Sequence, residues 1–153
     1  MKPLYLAAMA AVLTTVCLAA TSAGAQSSSQ LEQNKRIVTE FYDKALNQKD
    51  FDAAAAYFGP HYIQHNPSAR DGIEGFKAFI QSLREKFPNS HSEIKHAYAD
   101  GDYVILHVHA VREPGTRGLA IVDIFRLVNG KIVEHWDVRQ DVPETAANSN
   151  GMF

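Results

Sequence analysis

The sequence predicts an α+β domain in which three N-terminal helices pack on one face of an antiparallel sheet. Apolar residues recur at helical spacing as far as Pro88, and beyond it they alternate with polar residues as strands do. Two short turns, Asp100-Gly101 and Asn129-Gly130, divide the alternating part into two hairpins. Helices that precede all the hairpins are typical of the α+β class.

Residues 1–25 are predicted to be a secretory signal peptide. Lys2 gives a positive start, residues 4–20 form an apolar core, and residues 23–25 supply the small side chains of a cleavage site. We therefore expect a periplasmic or secreted protein that has no membrane attachment after cleavage. The only cysteine, Cys17, lies in this segment, so neither disulfides nor thiol chemistry are expected in the rest of the chain.

The remaining sequence predicts a single domain. The whole chain has 153 residues and a net charge of −2 without a cluster of basic residues, so we expect no nucleic-acid partner. Residues 26–30 are predicted to be a flexible leader, residues 31–141 the domain and residues 142–153 a polar C-terminal tail. About 110 residues are enough to enclose one hydrophobic core.

Three helices are predicted from apolar spacing and end signals. The first covers residues 31–47. The second follows Asp50, a typical N-cap residue, and stops at Gly59-Pro60. Asp71 and Glu74 have the spacing of a capping box, which places the start of the third helix there. The residues between the second and third helices are expected to be irregular.

The second hairpin places a carboxylate in an apolar face. A two-residue turn at Asn129-Gly130 pairs Val128 with Lys131, and the same register pairs Asp123 with Trp136. A buried carboxylate must be paired, protonated or used in chemistry. The predicted face also holds Ile121, Phe125, Leu127, Ile132, Glu134 and Val138. The opposite face is predicted to be half-exposed or a dimer interface, and it holds Val122, Ile124, Arg126, Val133, His135, Asp137 and Arg139.

The first hairpin is predicted to bring histidines toward that carboxylate. A two-residue turn pairs Ala99 with Asp102, and continued antiparallel pairing puts His107 and His109 on the side of Asp123. The predicted face holds Ile94, His96, Tyr98, Tyr103, Ile105, His107 and His109. The other face is expected to meet solvent or a partner, and it holds Glu93, Lys95, Ala97, Val104, Leu106 and Val108.

Three segments resemble the SnoaL-like polyketide cyclase family, which lies within the nuclear-transport-factor-two-like superfamily. They are FYDKALNQKDFDAAAAYF, YIQHNP and DIFRLVNGKIVEHWDV, and the resemblance extends over residues 31–141. It implies a cone-shaped, cystatin-like roll, with helices wrapped against a strongly curved sheet and a pocket in the mouth of the cone.

The resemblance also implies roles for particular residues. In these cyclases an aspartate on the third strand is the acid/base of an intramolecular aldol closure, and a histidine on the preceding strand lies nearby. Asp123 and His109 match those two by position, and His65 and Asn66 match the segment that closes the mouth. Further pocket walls are expected from Tyr42, Tyr62, His107, Phe125 and Trp136.

We considered a metal site because His107 and His109 point to one side of a strand. Together with His96 or Asp123 they would make three ligands for zinc or iron. The cyclases that the chain resembles use no metal there, and Asp123 already serves as a partner for one histidine. We therefore expect neither metal nor cofactor. Gly-rich phosphate loops and nucleophile elbows are absent from the sequence, so phosphoryl and acyl transfer have no support.

The expected function is that of an exported enzyme using metal-free acid/base chemistry on a hydrophobic carbonyl compound. Aldol-type cyclisation and isomerisation both fit these groups. The alternative is a non-catalytic periplasmic domain that binds a small ligand in the same pocket. A homodimer through the sheet face that carries Val122 and Ile124 is also expected.

Overall fold

The structure, a computed structural model, describes residues 27–153. The predicted signal peptide therefore lies outside the described residues. Within the described part there are three α-helices and five strands. No helix of this part is both long enough and apolar enough to cross a membrane.

The first helix begins earlier than predicted. Helix α1 covers Ser28–Tyr42, and its N-cap Ser27 accepts a hydrogen bond from the backbone N–H of Gln30 at 3.3 Å. Part of the predicted leader is therefore helical, because the hydroxyl cap sets the start and the first apolar residue does not. The helix continues into a π-helical turn, Asp43–Asn47, so the predicted end is confirmed.

The other two helices differ in how they begin. Helix α2, Phe51–Ala55, starts at Asp50, whose carboxylate accepts a backbone N–H of the first turn at 3.0 Å, as predicted. Helix α3, Gly72–Lys86, follows Asp71, which makes no capping bond. The Asp71 carboxylate accepts instead the N–H of Gln64 at 2.8 Å. The predicted capping box is therefore wrong, because a neighbouring strand takes the carboxylate.

The sheet has five strands in the order β1-β5-β4-β3-β2. Strand β1 was not predicted, and it runs parallel to β5, so the sheet is mixed rather than antiparallel. Gly59 and Pro60 gave the stop signal, yet both lie in this edge strand, where proline is tolerated. The strands are β1 Phe58–Gln64, β2 His91–Asp100, β3 Tyr103–Val111, β4 Leu119–Val128 and β5 Lys131–Asp141.

The helices pack on one side of the sheet, which we call the inner face; the other side is the outer face. Val104, Leu106 and Val108 of β3 are completely buried on the inner face, so the prediction that they meet solvent is wrong. The first turn is Gly101-Asp102, not Asp100-Gly101, and Asp100 pairs with Tyr103. Because side chains alternate along a strand, His107 and His109 therefore lie on the outer face.

A bulge in β5 overturns the predicted register of the second hairpin. Val128 pairs with Lys131 as predicted, but Val133 has no partner on β4, and Asp123 consequently pairs with Asp137 rather than with Trp136. An extra residue sends every following side chain to the other face.

Close packing beneath the bulge accounts for its position. A Cβ on Gly59 of β1 would lie 2.8 Å from Cγ1 of Val133, so only glycine leaves room for the bulged valine. Beyond the bulge, His135, Asp137 and Arg139 lie on the inner face. Glu134, Trp136 and Val138 were predicted there and lie on the outer face, where Val138 is 67% exposed.

Candidate active site

A cavity of about 110 Å³ lies between the helices and the inner face of the sheet. Five residues proposed from the sequence line it, namely Tyr42, Tyr62, Asn66, Asp123 and Phe125. The other four, His65, His107, His109 and Trp136, are not among its lining residues. Asp123 therefore meets the first requirement of a catalytic group, because it borders a space that a ligand can enter.

Asp123 is buried, with 5% of its surface exposed, and both carboxyl oxygens are hydrogen-bonded. The hydroxyl of Tyr42 donates to Oδ2 at 3.1 Å, and Nε2 of His135 lies 3.0 Å from Oδ1. Tyr42 is the last residue of α1 before the π-helical turn, a feature that often occurs at functional sites. His135 reaches the carboxyl because the bulge turns it inward.

Gln64 fixes the protonation of the His135 ring. The backbone N–H of Asn66 donates to Oε1 of Gln64 at 2.9 Å, so that end of the amide is the oxygen. The same oxygen lies 3.0 Å from Nδ1 of His135. An amide oxygen only accepts hydrogen bonds, and therefore Nδ1 of His135 carries a hydrogen.

The contact between His135 and Asp123 must then contain one shared proton. With Nδ1 protonated, Nε2 either is an acceptor or carries a second hydrogen. In the first case Asp123 is a carboxylic acid, and in the second the pair is imidazolium and carboxylate. Two bare lone pairs 3.0 Å apart would repel each other. The hydrogen bond between His135 and Asp123 therefore holds one proton between the two groups.

Two buried tyrosines supply hydroxyl donors to the cavity. Burial, and then the charge of Asp123, raises the pKa of Tyr42 and of Tyr62, so both phenols stay protonated at neutral pH. Nε2 of Gln64 donates to the Tyr62 oxygen at 3.0 Å. Because that oxygen already accepts, its own hydrogen is left to serve a ligand.

The second aspartate of the inner face has different partners. Nδ2 of Asn66 lies 2.7 and 2.8 Å from the two carboxyl oxygens of Asp137, and Nε of Arg139 lies 3.9 Å from Oδ2. Two ionised carboxylates directly across a sheet destabilise each other. The donors at Asp137 and the proton shared by Asp123 and His135 offset that repulsion.

The predicted pairing of His109 with Asp123 is wrong. His109 lies on the outer face, where its Nε2 is 2.8 Å from the backbone oxygen of Arg117 and its ring is 4.5 Å from the ring of Phe153. His107 stacks between His96, at 5.8 Å, and Phe153, at 5.3 Å. No set of three or more potential metal ligands comes together within residues 27–153.

His65 and Trp136 form a separate outer cluster. Their rings are nearly parallel, at 4°, with centroids 4.5 Å apart. Nε2 of His65 lies 2.8 Å from Oε1 of Glu134, and Nε of Arg126 lies 2.6 Å from Oε2. His65 thus orients an ion pair on the surface, and it does not close the cavity as expected.

Among the polar lining residues that the sequence did not predict are Gln64, His135, Asp137 and Arg139. Gln64 lies on β1, a strand that was not predicted. The other three lie on β5, whose predicted register was wrong. One signal was available in β3, where the row Val104, Leu106 and Val108 is wholly aliphatic and the alternate row contains two histidines. The aliphatic row marks the inner face.

Residues 38–135 match the profile of the SnoaL-like domain family. The chain belongs to this family. The match includes Asp123 and most of the residues that line the cavity, and the fold agrees with the resemblance noted in the sequence. No curated protein matches the chain.

Solved structures support the fold of this SnoaL-like protein. A polyketide cyclase assigned by similarity, from Bacillus cereus, has a TM-score of 0.64 and 21% identity, over 74% of this chain and 78% of that one. TsrD from Streptomyces laurentii has a TM-score of 0.60 and 20% identity, over 71% and 88%. A cystatin-fold protein from Novosphingobium aromaticivorans has a TM-score of 0.61 and 23% identity, over 69% and 97%.

Proposed function

We propose that this protein is an enzyme that moves a proton at the carbon next to a carbonyl group in a hydrophobic small molecule. Asp123 is the acid/base, and His135 takes the place that the sequence had given to His109. The observation that carries the proposal is the buried Asp123 carboxyl, which borders the cavity and lies 3.0 Å from Nε2 of His135. The chemistry requires neither metal nor cofactor.

The first step uses the carboxylate form of Asp123. An oxygen of Asp123 takes the proton, so a C–H bond breaks, an O–H bond forms, and the electron pair passes to the carbonyl oxygen as an enolate. The oxygen of Tyr62 already accepts a hydrogen bond from Gln64, so the Tyr62 hydroxyl donates its own hydrogen to the enolate oxygen. His135 shares a proton with Asp123 and so balances the negative charge of the carboxylate beside it.

The second step returns the same proton. If it goes from Asp123 to a different carbon, the product is an isomer. If the enolate carbon first attacks a second carbonyl of the same molecule, the new alkoxide takes the proton and a ring is closed. Gln64 is a positioning residue in both cases, because it holds the His135 ring without touching the substrate.

Location and assembly complete the proposal. The predicted signal peptide supports a periplasmic or secreted enzyme. The outer face supports a homodimer because it exposes large apolar side chains, among them Tyr98 at 59%, Tyr103 at 44% and Ile105 at 36%. A charge at Ile105, in Ile105→Asp, is expected to yield monomers in light scattering, whereas an unchanged mass would count against this interface.

Asp123→Asn tests the chemistry. We expect the wild type to accelerate exchange of the α-hydrogens of a cyclic aryl ketone with deuterium from the solvent, followed by NMR. The variant should lose about 10²–10⁴-fold of that acceleration and keep its affinity for the ketone. Asp52→Asn, on the exposed side of α2, is the matched control and should exchange as the wild type does.

The same experiment separates the binding domain from the enzyme. A wild type that binds ketones in the cavity and exchanges no hydrogen faster than buffer would be a binding domain. Equal exchange rates in the wild type and in Asp123→Asn would show that Asp123 takes no part in the reaction.

A further inference from the structure

Three arginines, Arg70, Arg112 and Arg139, are among the residues that line the cavity. Arg70 and Arg139 are exposed and Arg112 is half-buried, whereas the aromatic lining residues Tyr42, Tyr62 and Phe125 are at most 5% exposed. The arginines therefore stand where the cavity meets solvent, and the aromatic rings form its closed end.

Two of these guanidinium groups have no carboxylate partner in the part of the chain that the structure describes. Within residues 27–153, neither Arg70 nor Arg112 has a carboxylate at ion-pair distance. Arg139 is 3.9 Å from Asp137, whose oxygens already accept the amide of Asn66. The chain as a whole carries a net charge of −2, so a general excess of cations does not explain this group.

The side chain of one arginine and the backbone of another are held in place by neighbouring residues. The guanidinium of Arg112 lies 5.3 Å from the centre of the Phe87 ring. The backbone of Arg70 packs on α3 at Gly75, where any Cβ would overlap the Arg70 carbonyl. Next to it, Asp71 is tied to the backbone of Gln64. The Arg112 side chain and the Arg70 backbone are therefore anchored, and the cost of ordering these two on binding is reduced.

We infer that the natural ligand is a small cyclic carbonyl compound bearing a carboxylate, which Arg70, Arg112 and Arg139 bind at the opening. An arginine fork matches a carboxylate with two parallel hydrogen bonds. The carbonyl end of the ligand lies near Asp123 and His135, an assignment that rests on the proposed function. The cavity, at about 110 Å³, is somewhat smaller than the apolar cavity of about 150 Å³ that holds benzene, so no more than a single ring fits inside and the carboxylate stays at the opening.

Binding of 4-acetylbenzoate and of its uncharged counterpart 4-acetylbenzamide tests this inference. We expect calorimetry at low ionic strength to show the acid binding about tenfold more tightly than the amide in the wild type. The double variant Arg70→Gln/Arg112→Gln should lose most of this preference, with only Arg139 left to hold the carboxylate, and should bind the amide within about twofold of the wild type. Arg36→Gln, an exposed arginine of α1 that does not line the cavity, should keep the preference.

The inference is overturned if the wild type binds the acid no better than the amide, or binds neither. It is also overturned if the preference survives undiminished in the double variant or disappears equally in Arg36→Gln. Asp123→Asn should keep the preference, because an equilibrium affinity needs no turnover. A protein that prefers the acid but exchanges no ketone hydrogens would retain this inference and lose the proposed reaction, and the reverse result would do the opposite.

Discussion

Histidines on the two faces of the same sheet have different environments. On the inner face, His135 is 9% exposed, and each ring nitrogen contacts one buried or half-buried side chain, Asp123 or Gln64. On the outer face, His107 and His109 stack on the ring of Phe153, which is itself 41% exposed. Residue type therefore does not decide which histidine contacts Asp123; the face of the strand does.

The energetic consequence follows from burial. A hydrogen bond in a buried network is hard to lose, because the partner left behind cannot turn to water. Ring contacts at the surface contribute about 0.5–1.5 kcal/mol at most, and water replaces them readily. Substitutions should therefore have large effects on the inner face and small effects on the outer face.

The largest effect is expected from deleting Val133, the extra residue of the bulge. The bulge decides which of the following β5 side chains lie on the inner face. Without the bulge, Trp136 and Glu134 would turn inward and His135 would turn outward. A buried, unpaired carboxylate alone costs several kcal/mol, so we expect no cooperative urea unfolding transition. Deletion of Gly151 in the exposed tail is the control, and it should unfold as the wild type does. A folded deletion variant with a normal midpoint would contradict the proposed bulge.

The second largest effect is expected at His135, and the matching substitution of His109 is the comparison. His135→Asn should slow ketone hydrogen exchange by about 10²-fold, because Asp123 loses the group with which it shares a proton. His109→Asn should change the rate by less than about twofold, since the ring lies on the other face. If His109→Asn were the slower variant, the sequence-based pairing would be right and the observed register wrong.

Removing the acceptor of His135 should have an intermediate effect. In Gln64→Leu, the Nδ1 hydrogen of His135 and the Tyr62 oxygen lose their partner, and we expect a loss of about 1–3 kcal/mol in the free energy of unfolding. The pH profile of exchange should also shift, which a purely structural role would not cause. Gln33→Leu, an exposed residue of α1, is the control in urea titrations, and an equal loss there would remove the special role of Gln64.

The smallest effect belongs to the outer face. The hydrogen bond from His65, followed by Arg126, lowers the pKa of Glu134 below its ordinary value of 4.5. A carboxyl with a lowered pKa in the folded state adds stability above pH 4.5 and loses it as the pH falls through the folded pKa. Glu134→Gln should therefore cost about 0.5–1 kcal/mol at pH 7 and nothing near pH 2.

Urea titrations at several pH values provide the check. Glu85→Gln, which changes an exposed carboxylate of α3, should leave stability unaltered at every pH. If Glu134→Gln still lowered the free energy of unfolding near pH 2, packing rather than charge would explain the effect.

Much of the fold could be predicted because its signals are local. The N-cap at Asp50, the turn at Asn129-Gly130 and the alternation in β4 depend on neighbouring residues. Strand β1 could not be predicted in the same way, because Gly59 and Pro60 are breakers in isolation. They are acceptable only in an edge strand that already has β5 as a partner.

Of the two residues at the centre of the site, the sequence identified Asp123 but not its partner His135. Asp123 was identified because a carboxylate in an apolar row is anomalous in any register, and the structure buries it beside the cavity. His135 was assigned to the wrong face because the bulge at Val133 depends on packing over Gly59, a contact between distant parts of the chain. No local pattern contains that contact, so the partner of Asp123 required the structure.

Nδ1 of His135 carries a hydrogen because it faces the Gln64 oxygen, and Nε2 shares one with Asp123. NMR of protein labelled with ¹⁵N at histidine reads the protonation of each ring nitrogen directly. We predict a protonated Nδ1 throughout the pH range in which the protein is folded, with Nε2 changing its state when Asp123 is replaced by asparagine. A bare Nδ1 at neutral pH, with an unshared Nε2 hydrogen, would contradict the account.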